Sequence, residues 1–222
     1  MLAAAFYFGG CASAELKGYR GEPFRDSKYH GGPQKIPGRV QCAYYDFGGE
    51  GVAYHNQDTK NHGSGELNPA NGTYLNEFRM NEGISTSYTK FHGKTAIDDN
   101  PYDLVQPPEG QLYVGWTAPG EWFNLTVAVE HAGVYAIDLL YTSNRGGIIS
   151  LDRDGKPLVS AINIISTSTD KDPIPWRQCH HWNLMTNVAE VELPKGVSVL
   201  TLHIVTEGNM NLAYLDFEPK HK

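Results

Sequence analysis

Short runs of alternating apolar and polar residues fill the chain from Arg39 onward, and turn-forming sequences separate them. Alternation with period two is typical of strands with one buried face, and no window shows a sustained helical period with caps. Asp154-Gly155, between two runs, predicts a type I′ hairpin turn, in which both central residues need positive φ. Many short strands at regular spacing are typical of a β sandwich or jelly roll, so we expect an all-β chain, a jelly-roll β sandwich of two antiparallel sheets. The predicted strands are Arg39–Asp46, Leu75–Met80, Gln111–Thr117, Glu121–Val129, Val134–Thr142, Ile148–Arg153, Leu158–Ile164, Val188–Leu193, Val197–Val205 and Asn211–Glu218.

The N-terminus begins with a short apolar run, MLAAAFYFGGC, that ends in small residues and a cysteine. It resembles the end of a bacterial lipoprotein signal, which would make Cys11 the lipidated first residue of an exported outer-membrane or cell-surface protein. A signal peptide begins with a positively charged region, but no Lys or Arg precedes this run. The alternative that the segment has no targeting role therefore stays open. The run is too short to span a bilayer, which takes about 20 apolar residues, and we expect membrane contact only through the lipid.

The composition divides the chain into three predicted segments. Residues 1–11 are predicted to be the lipoprotein-like signal segment. Residues 12–35 are polar and punctuated by Gly and Pro, and they are predicted to be a tether. Residues 36–222 are predicted to form one sandwich domain, which we expect to be a monomer.

The formal net charge of the chain is −7, and its Lys and Arg residues form no cluster longer than a dipeptide. Nucleic-acid surfaces are normally basic patches or stripes, so a nucleic-acid partner is not expected. The acidic balance favours a neutral ligand, although a locally basic cleft would override it.

Two long segments interrupt the regular strand spacing. His55–Gly72 consists almost entirely of loop-forming residues, and Thr95–Gly110 is acidic and contains three prolines. Long loops in a compact domain are usually functional or disordered. Because the loops of a β sandwich cluster at its ends, we expect both segments to form the rim of a ligand cleft.

Several motifs resemble carbohydrate-binding module family 6 (CBM6). The segment VGWTAPGEWFNLTVAVEHAGVY (Val114–Tyr135) is similar to the family's GEWxxYxVxVxxAGxY strand, and GNMNLAYLDFEP (Gly208–Pro219) is similar to its closing strand. Upstream, Ile36–Asn61 resembles the opening strand and first loop, and FRMNEG (Phe78–Gly83) resembles the loop that lines one sugar site. The resemblance covers about Ile36 to Pro219. It implies non-catalytic binding of a neutral poly- or oligosaccharide through an aromatic-lined cleft.

The resemblance also implies the residues of the sugar site. The segment PIPWRQCHHWNLM (Pro173–Met185) offers two tryptophans, and either Trp182 or Trp176 would stack on the sugar, with Trp182 preferred. Phe78 would flank the sugar from the opposite loop, Asn211 would hydrogen-bond its hydroxyls, and Arg79 would support Phe78. Packing in the core is the alternative for Trp182, and it is the expected role of Trp116 and Trp122.

No cofactor or metal is expected. The structural calcium of the family is doubtful here, because Ala43 and Ala213 stand where carboxylates are expected. His180-His181 lacks a third ligand at a fixed spacing, so we expect one exposed histidine and one hydrogen-bonded histidine. Cys42 and Cys179 are expected to stay unpaired.

A carbohydrate-active enzyme on the same sandwich is the alternative function. A glycoside hydrolase would need two carboxylates across the scissile bond, and the candidates are Glu77, Glu82, Glu121 and either Asp98 or Asp99. A polysaccharide lyase would use a histidine, an arginine and a tyrosine, such as His181 and Arg79. Fold resemblance does not decide between these functions, because one fold supports many activities.

Overall fold

The computed structural model describes residues 18–92 and 97–220 of the chain, and Cys11 lies outside these residues. Within them the secondary structure consists of strands and two 3-10 helices, Cys42–Tyr44 and Pro175–Cys179. None of the helical segments in this part of the chain has the length and hydropathy that crossing a bilayer requires. The strands are β1 Gln34–Ile36, β2 Gly38–Gln41, β3 Tyr54–His55, β4 Ser64–Gly65, β5 Asn68–Pro69, β6 Thr86–Tyr88, β7 Leu112–Val114, β8 Trp122–Val129, β9 Gly133–Ser143, β10 Gly147–Arg153, β11 Lys156–Ile164, β12 Asn183–Leu193, β13 Gly196–Glu207 and β14 Met210–Pro219.

Two sheets form a β sandwich. The first has the order β1-β8-β13-β10-β11, with β3 also paired to β8, and the second has the order β12-β9-β14-β7-β6, with β2 paired to β14. All these pairs are antiparallel except β1 with β8, which is parallel. The predicted fold class, an all-β jelly-roll sandwich of two antiparallel sheets, is confirmed.

The β10–β11 hairpin turns as its sequence predicts. Asp154 has φ 52° and Gly155 has φ 72°, the two left-handed conformations of a type I′ turn. The Asp154 carboxylate also accepts a hydrogen bond from the Val199 amide at 2.9 Å, which ties the turn to the neighbouring strand β13.

Besides Gln111–Thr117, which is reduced to Leu112–Val114, two predicted strands differ from the structure. The first, Arg39–Asp46, stops at Gln41, where the 3-10 helix begins. The second, Leu75–Met80, is a series of turns, in which the Glu77 amide donates to the Thr73 carbonyl and Arg79 has φ 51°. A left-handed residue cannot continue an extended strand. Within this segment, Leu75 and Phe78 pack in an aromatic cluster.

The core lies between the two sheets, and alternate residues of the long strands point into it. In β8, Phe123, Leu125 and Val127 are buried in this core. The intervening Thr126 is buried as well, because the Asp46 carboxylate caps it by accepting hydrogen bonds from its amide at 2.9 Å and its hydroxyl at 2.6 Å. Residues on the outer side of this sheet are therefore covered by an additional layer of chain.

That layer includes part of the predicted tether, so the assignment of residues 12–35 as a tether is wrong for residues 18–35. The Tyr19 hydroxyl donates to Asp46 at 2.8 Å, and Glu22 forms a β-bridge with Phe47. Phe24 is buried in an aromatic cluster, and Gln34 begins strand β1. The segment is polar on average because its few apolar side chains are spaced singly. Phe24 and Tyr29 nevertheless pack in the aromatic cluster, and Tyr19 bonds to Asp46.

Candidate saccharide-binding cavity

An open cavity of about 580 Å³ lies at one end of the sandwich, where connections from several strands meet. Its described lining combines large apolar side chains with polar groups: Leu67, Lys90, Ile97, Tyr113, Trp116, Trp176, Cys179, His180, Asn209 and Asn211. Leu67 comes from the predicted rim His55–Gly72, and Ile97 comes from the predicted rim Thr95–Gly110. Both long loops therefore reach the cavity, as their spacing predicted.

Two exposed tryptophans line this cavity. Trp176 is 51% exposed and Trp116 is 41% exposed, whereas large apolar side chains normally gain about 1.5–3 kcal/mol by burial. Leu67, which is also exposed, lies in the same lining. A contiguous exposed apolar patch of this kind usually marks a binding site.

The expectation that Trp116 packs in the core is wrong, and its backbone explains why. Trp116 has φ 52°, a conformation that is unusual for a bulky residue and directs the ring out of line with strand β7. The neighbouring residues hold it there, because the Gly115 amide donates to the Ser85 carbonyl at 2.9 Å and the Asn209 amide donates to the Thr117 carbonyl at 2.8 Å. Strained residues of this kind cluster at functional sites.

Asn209, in the same lining, also has a left-handed backbone, with φ 51°. It follows Gly208, where an added Cβ would lie 2.4 Å from the Thr117 carbonyl oxygen. The close approach of the β13–β14 connection to the Trp116 loop therefore requires glycine at position 208. Two left-handed non-glycine residues thus lie side by side at the cavity.

Trp176 is presented by the second 3-10 helix, which a buried carboxylate fixes to the body of the protein. Asp172 accepts two hydrogen bonds from the Arg177 guanidinium, at 2.7 and 2.8 Å, and one from His181 Nε2 at 2.8 Å. The hydrogen bonds from Arg177 hold the pKa of Asp172 well below its usual range. This network fixes the 3-10 helix, so the exposed Trp176 is attached to an ordered segment.

Trp182 lies in the core, so its predicted role as the stacking ring is wrong. Its side chain is fully buried against Tyr113 and Leu140, and the Trp182–Tyr113 ring centroids are 5.4 Å apart. The indole Nε1 donates to Asp98 at 2.8 Å, and the backbone carbonyl accepts hydrogen bonds from the amides of Leu104 and Val105. Of the two tryptophans left open by the sequence, only Trp176 faces the cavity.

Phe78 and Arg79 line a second cavity of about 510 Å³, so the structure does not bring them together with Trp176 and Asn211 as the sequence predicts. Phe78 is buried in an aromatic cluster with Phe24 and Tyr44. The side chain of Arg79 is 3% exposed and donates to Glu82 at 2.7 and 2.8 Å and to the carbonyls of Tyr45 and Asp46. The guanidinium therefore braces the interior of a loop, and none of its hydrogen bonds involves a residue of the cavity that Trp176 lines.

Asn211 lines the cavity from strand β14, and its hydrogen bonding to a sugar stays a prediction. Its side-chain amide nitrogen donates to the Cys179 carbonyl at 2.6 Å, which ties β14 to the 3-10 helix that carries Trp176. Its oxygen lies beside Gly115, where an added Cβ would come within 2.7 Å of it. Asn211 thus lines the site and also contacts the segment that carries each exposed tryptophan, through Cys179 on one side and Gly115 on the other.

The two adjacent histidines have different surroundings. His181 is fully buried, with Nδ1 3.0 Å from the Thr167 carbonyl and Nε2 bonded to Asp172. His180 is half-buried, lines the cavity and shares Asp98 with Trp182 through Nδ1 at 2.9 Å. Among the residues that the structure describes, no cluster of three or more His, Cys, Asp or Glu side chains could hold a metal ion.

The residues at the expected calcium positions do not fit a hard cation. Ala43 packs against Phe24 and Phe78, whereas Ala213 packs with Tyr113 and Trp182, so the two positions belong to separate apolar clusters. Both alanines are fully buried and supply no side-chain oxygen. The thiols of Cys42 and Cys179 are free, and burial raises the pKa of each.

Trp116, Lys90 and Asn209 are cavity residues that sequence reasoning missed. The alternation predicts that Trp116 belongs to a buried strand, although it stands two residues before the turn sequence Ala118-Pro119-Gly120. That position, close to a turn, is the only sequence signal that it belongs to a loop. No comparable signal distinguishes Lys90 or Asn209.

No protein-family model matches this chain, and no curated protein sequence matches it. Among solved structures, a CBM6 module from Clostridium stercorarium, determined in complex with cellobiose, is similar over 85% of this chain and 98% of its own, with 10% identity and a TM-score of 0.51.

This chain has the fold of a CBM6 module. At this identity the likeness concerns the fold alone. A CBM6 from Bacillus halodurans that binds β-1,3-glucan matches over 84% of this chain and 99% of its own, with 17% identity and a TM-score of 0.47. The C-terminal CBM6 of a marine laminarinase from Zobellia galactanivorans matches over 50% of this chain and 82% of its own, with 20% identity and a TM-score of 0.41.

Proposed function

We propose that this chain binds a poly- or oligosaccharide in the cavity that Trp116 and Trp176 line. The observation that carries the proposal is the exposure of two tryptophans in one cavity, each held by hydrogen-bonded backbone. One face of a pyranose ring consists of C–H bonds and packs on an aromatic ring, while its hydroxyls need polar partners. His180, Asn209 and Asn211 supply polar groups in the same lining.

The solved CBM6 structures support the ligand class. The module from Clostridium stercorarium was determined with cellobiose, and the likeness of this chain to it extends over nearly the whole of that module. Carbohydrate binding is therefore the function that agrees with both the fold and the composition of the cavity. The role of each lining residue is our proposal.

A glycan array probed with the full chain tests this function, followed by calorimetric titration of the best ligand. The full chain is required because residues 18–35 pack against the sandwich. Trp176→Ala and Trp116→Ala are each expected to weaken binding at least about tenfold, because aromatic anchors of this kind concentrate binding energy of about 2 kcal/mol or more. The thermal unfolding of both variants should remain cooperative.

Trp122→Ala is the matched control, since Trp122 is a half-buried tryptophan of strand β8 that lines a different, much smaller cleft. It should keep wild-type affinity. Equal binding by all three variants, or no binding of any glycan by the wild type, would contradict the proposal. New reducing ends or an unsaturated product in the incubated mixture would decide for the enzymatic alternative.

We also propose that the chain is exported and anchored through a lipid on Cys11, which rests only on the sequence MLAAAFYFGGC. One myristoyl-like chain binds membranes only marginally, so a lasting anchor requires more than one acyl chain. Cys11→Ser should release the protein from the membrane fraction or block its processing. Mass spectrometry that finds an intact Met1 on native protein would refute the anchor.

A further inference from the structure

The titratable side chains in the described lining of the cavity are Lys90, Tyr113, Cys179 and His180, and none of them is a carboxylate. Lys90 and His180 are the basic members. The chain as a whole carries a formal charge of −7, whereas the described lining contains a lysine and no carboxylate. Such a local difference matters because charges interact strongly only within about 8 Å at physiological ionic strength.

Lys90 is held at the cavity by its backbone. Its amide donates to Asp98 Oδ2 at 2.8 Å, and its carbonyl accepts a hydrogen bond from the Asp98 amide at 3.1 Å. The Asp98 carboxylate is already occupied, because its Oδ1 accepts hydrogen bonds from Trp182 Nε1 and His180 Nδ1. Asp98 therefore positions Lys90 by bonding to the Lys90 backbone. The ammonium group of Lys90 lies over the Tyr88 ring.

The Lys90 ammonium group is half-buried and has no salt-bridge partner in the described parts of the chain. It lies 4.7 Å from the centre of the Tyr88 ring, a contact that provides weak attraction and no negative charge. Burial lowers the pKa of Lys90, and the neighbouring Asp98 opposes this effect only in part. A partly desolvated cation without a direct salt bridge gains when an anion reaches it.

We propose that the saccharide bound in this cavity carries an anionic substituent, a carboxylate or a sulfate ester, which pairs with Lys90. This inference rests on the proposed saccharide-binding function. The sugar ring would pack on Trp116 or Trp176, and the anionic group would accept charge-assisted hydrogen bonds from the ammonium. Because lysine binds as a point charge, the site selects the charge and does not distinguish carboxylate from sulfate. The expectation of a neutral ligand, drawn from the net charge, would then fail for a local reason.

The test uses pairs of oligosaccharides that differ only in charge, titrated into the full chain at low and at high salt. Oligogalacturonate is compared with its methyl ester, and a sulfated galactan oligosaccharide is compared with its desulfated form, so the two pairs separate carboxylate from sulfate. In at least one pair the anionic member should bind at least about tenfold more tightly at low salt, the usual weight of a hydrogen bond to a charged group. The preference should shrink at high salt.

Three variants assign the preference to the lysine. Lys90→Met, which keeps the length of the side chain, should abolish the preference by weakening the binding of the anionic member. Lys90→Arg should retain most of the preference. Lys28→Met is the matched control, because Lys28 also lies over a tyrosine ring, 4.6 Å from the centre of Tyr74, but is exposed and outside this cavity.

The outcomes separate this inference from the proposed function. If neutral glycans bind as tightly as their anionic partners, or if Lys90→Met keeps the preference, the inference is overturned. The proposed function then stands as long as Trp176→Ala weakens binding at least about tenfold. If the wild type binds neither member of any pair and no glycan on the array, the proposed function fails and this inference fails with it.

Discussion

The indole Nε1 of Trp182 donates a hydrogen bond to Asp98 Oδ1 at 2.8 Å, and both side chains are buried. The same oxygen accepts a hydrogen bond from His180 Nδ1 at 2.9 Å. This shared acceptor connects a core tryptophan to a residue of the cavity wall. It also removes Trp182 from contact with any ligand and leaves Trp176 to face the cavity.

Trp182→Phe should lower the free energy of unfolding by about 1–3 kcal/mol, because it leaves the buried Asp98 oxygen without one of its donors. Chemical denaturation measures this loss. Trp176→Phe is the control and should stay within about 0.5 kcal/mol of the wild type, since Trp176 is exposed. Unchanged stability in Trp182→Phe, together with lost glycan binding, would return Trp182 to the ligand site.

Arg79→Ala should destabilise the protein by about 3 kcal/mol, because it removes a buried guanidinium that pairs with Glu82 and satisfies two backbone carbonyls. The folded fraction should bind glycans as the wild type does. Arg25→Ala is the matched control, since the Arg25–Glu22 ion pair is exposed and should contribute only about 0–1 kcal/mol. A selective loss of affinity in a stable Arg79→Ala variant would contradict the bracing role.

Trp116→Gly should be more stable than Trp116→Ala by about 1 kcal/mol, because the backbone at this position is left-handed and only glycine adopts that conformation without cost. Both variants should lose saccharide binding. Their midpoints in urea, measured side by side, check the difference. If alanine is the more stable substitution, position 116 is not strained in solution.

Asp172→Asn should destabilise the protein most at neutral pH. The pKa of Asp172 is lowered in the folded state, chiefly by Arg177, so its contribution is complete above the unfolded value of about 3.9 and is lost as pH falls through the folded value. The difference from wild type should therefore shrink below pH of about 4. Asp170→Asn, an exposed neighbour in the same loop, should show a small effect at every pH. A pH-independent difference for Asp172→Asn would contradict the conclusion that the ionised Asp172 carboxylate stabilises the fold through Arg177.

Chelation with EDTA should scarcely change the melting temperature, because Ala43 and Ala213 supply no oxygen ligands and belong to separate apolar clusters. A metal at 100 times its dissociation constant would stabilise the protein by about 2.7 kcal/mol, so a tight site would be visible. Differential scanning fluorimetry with and without EDTA measures this. A drop of several degrees would mean that other oxygens form a calcium site.

The sandwich was predictable because period-two alternation records which face of each strand is buried. Strands β8, β9, β10, β13 and β14 lie within a few residues of their predicted bounds, and the turn at Asp154-Gly155 has the predicted conformation. The two long loops were also correctly assigned to the rim of a cavity, since breaks in the alternation identify connections and connections gather at the ends of a sandwich.

The identity of the exposed rings depended on tertiary structure. Trp176 and Trp182 are six positions apart in one connection, where no periodicity distinguishes inward from outward residues. Their fates depend on Asp98, which is 84 positions from Trp182 in the sequence, and on Asp172, which fixes the helix that carries Trp176. In the same way, the left-handed backbone of Trp116 depends on the hydrogen bonds that its neighbours Gly115 and Thr117 form with Ser85 and Asn209. The sequence by itself determined most of the long strands, because local alternation encodes burial within a strand. Long-range hydrogen bonds decided which loop side chains reach the solvent.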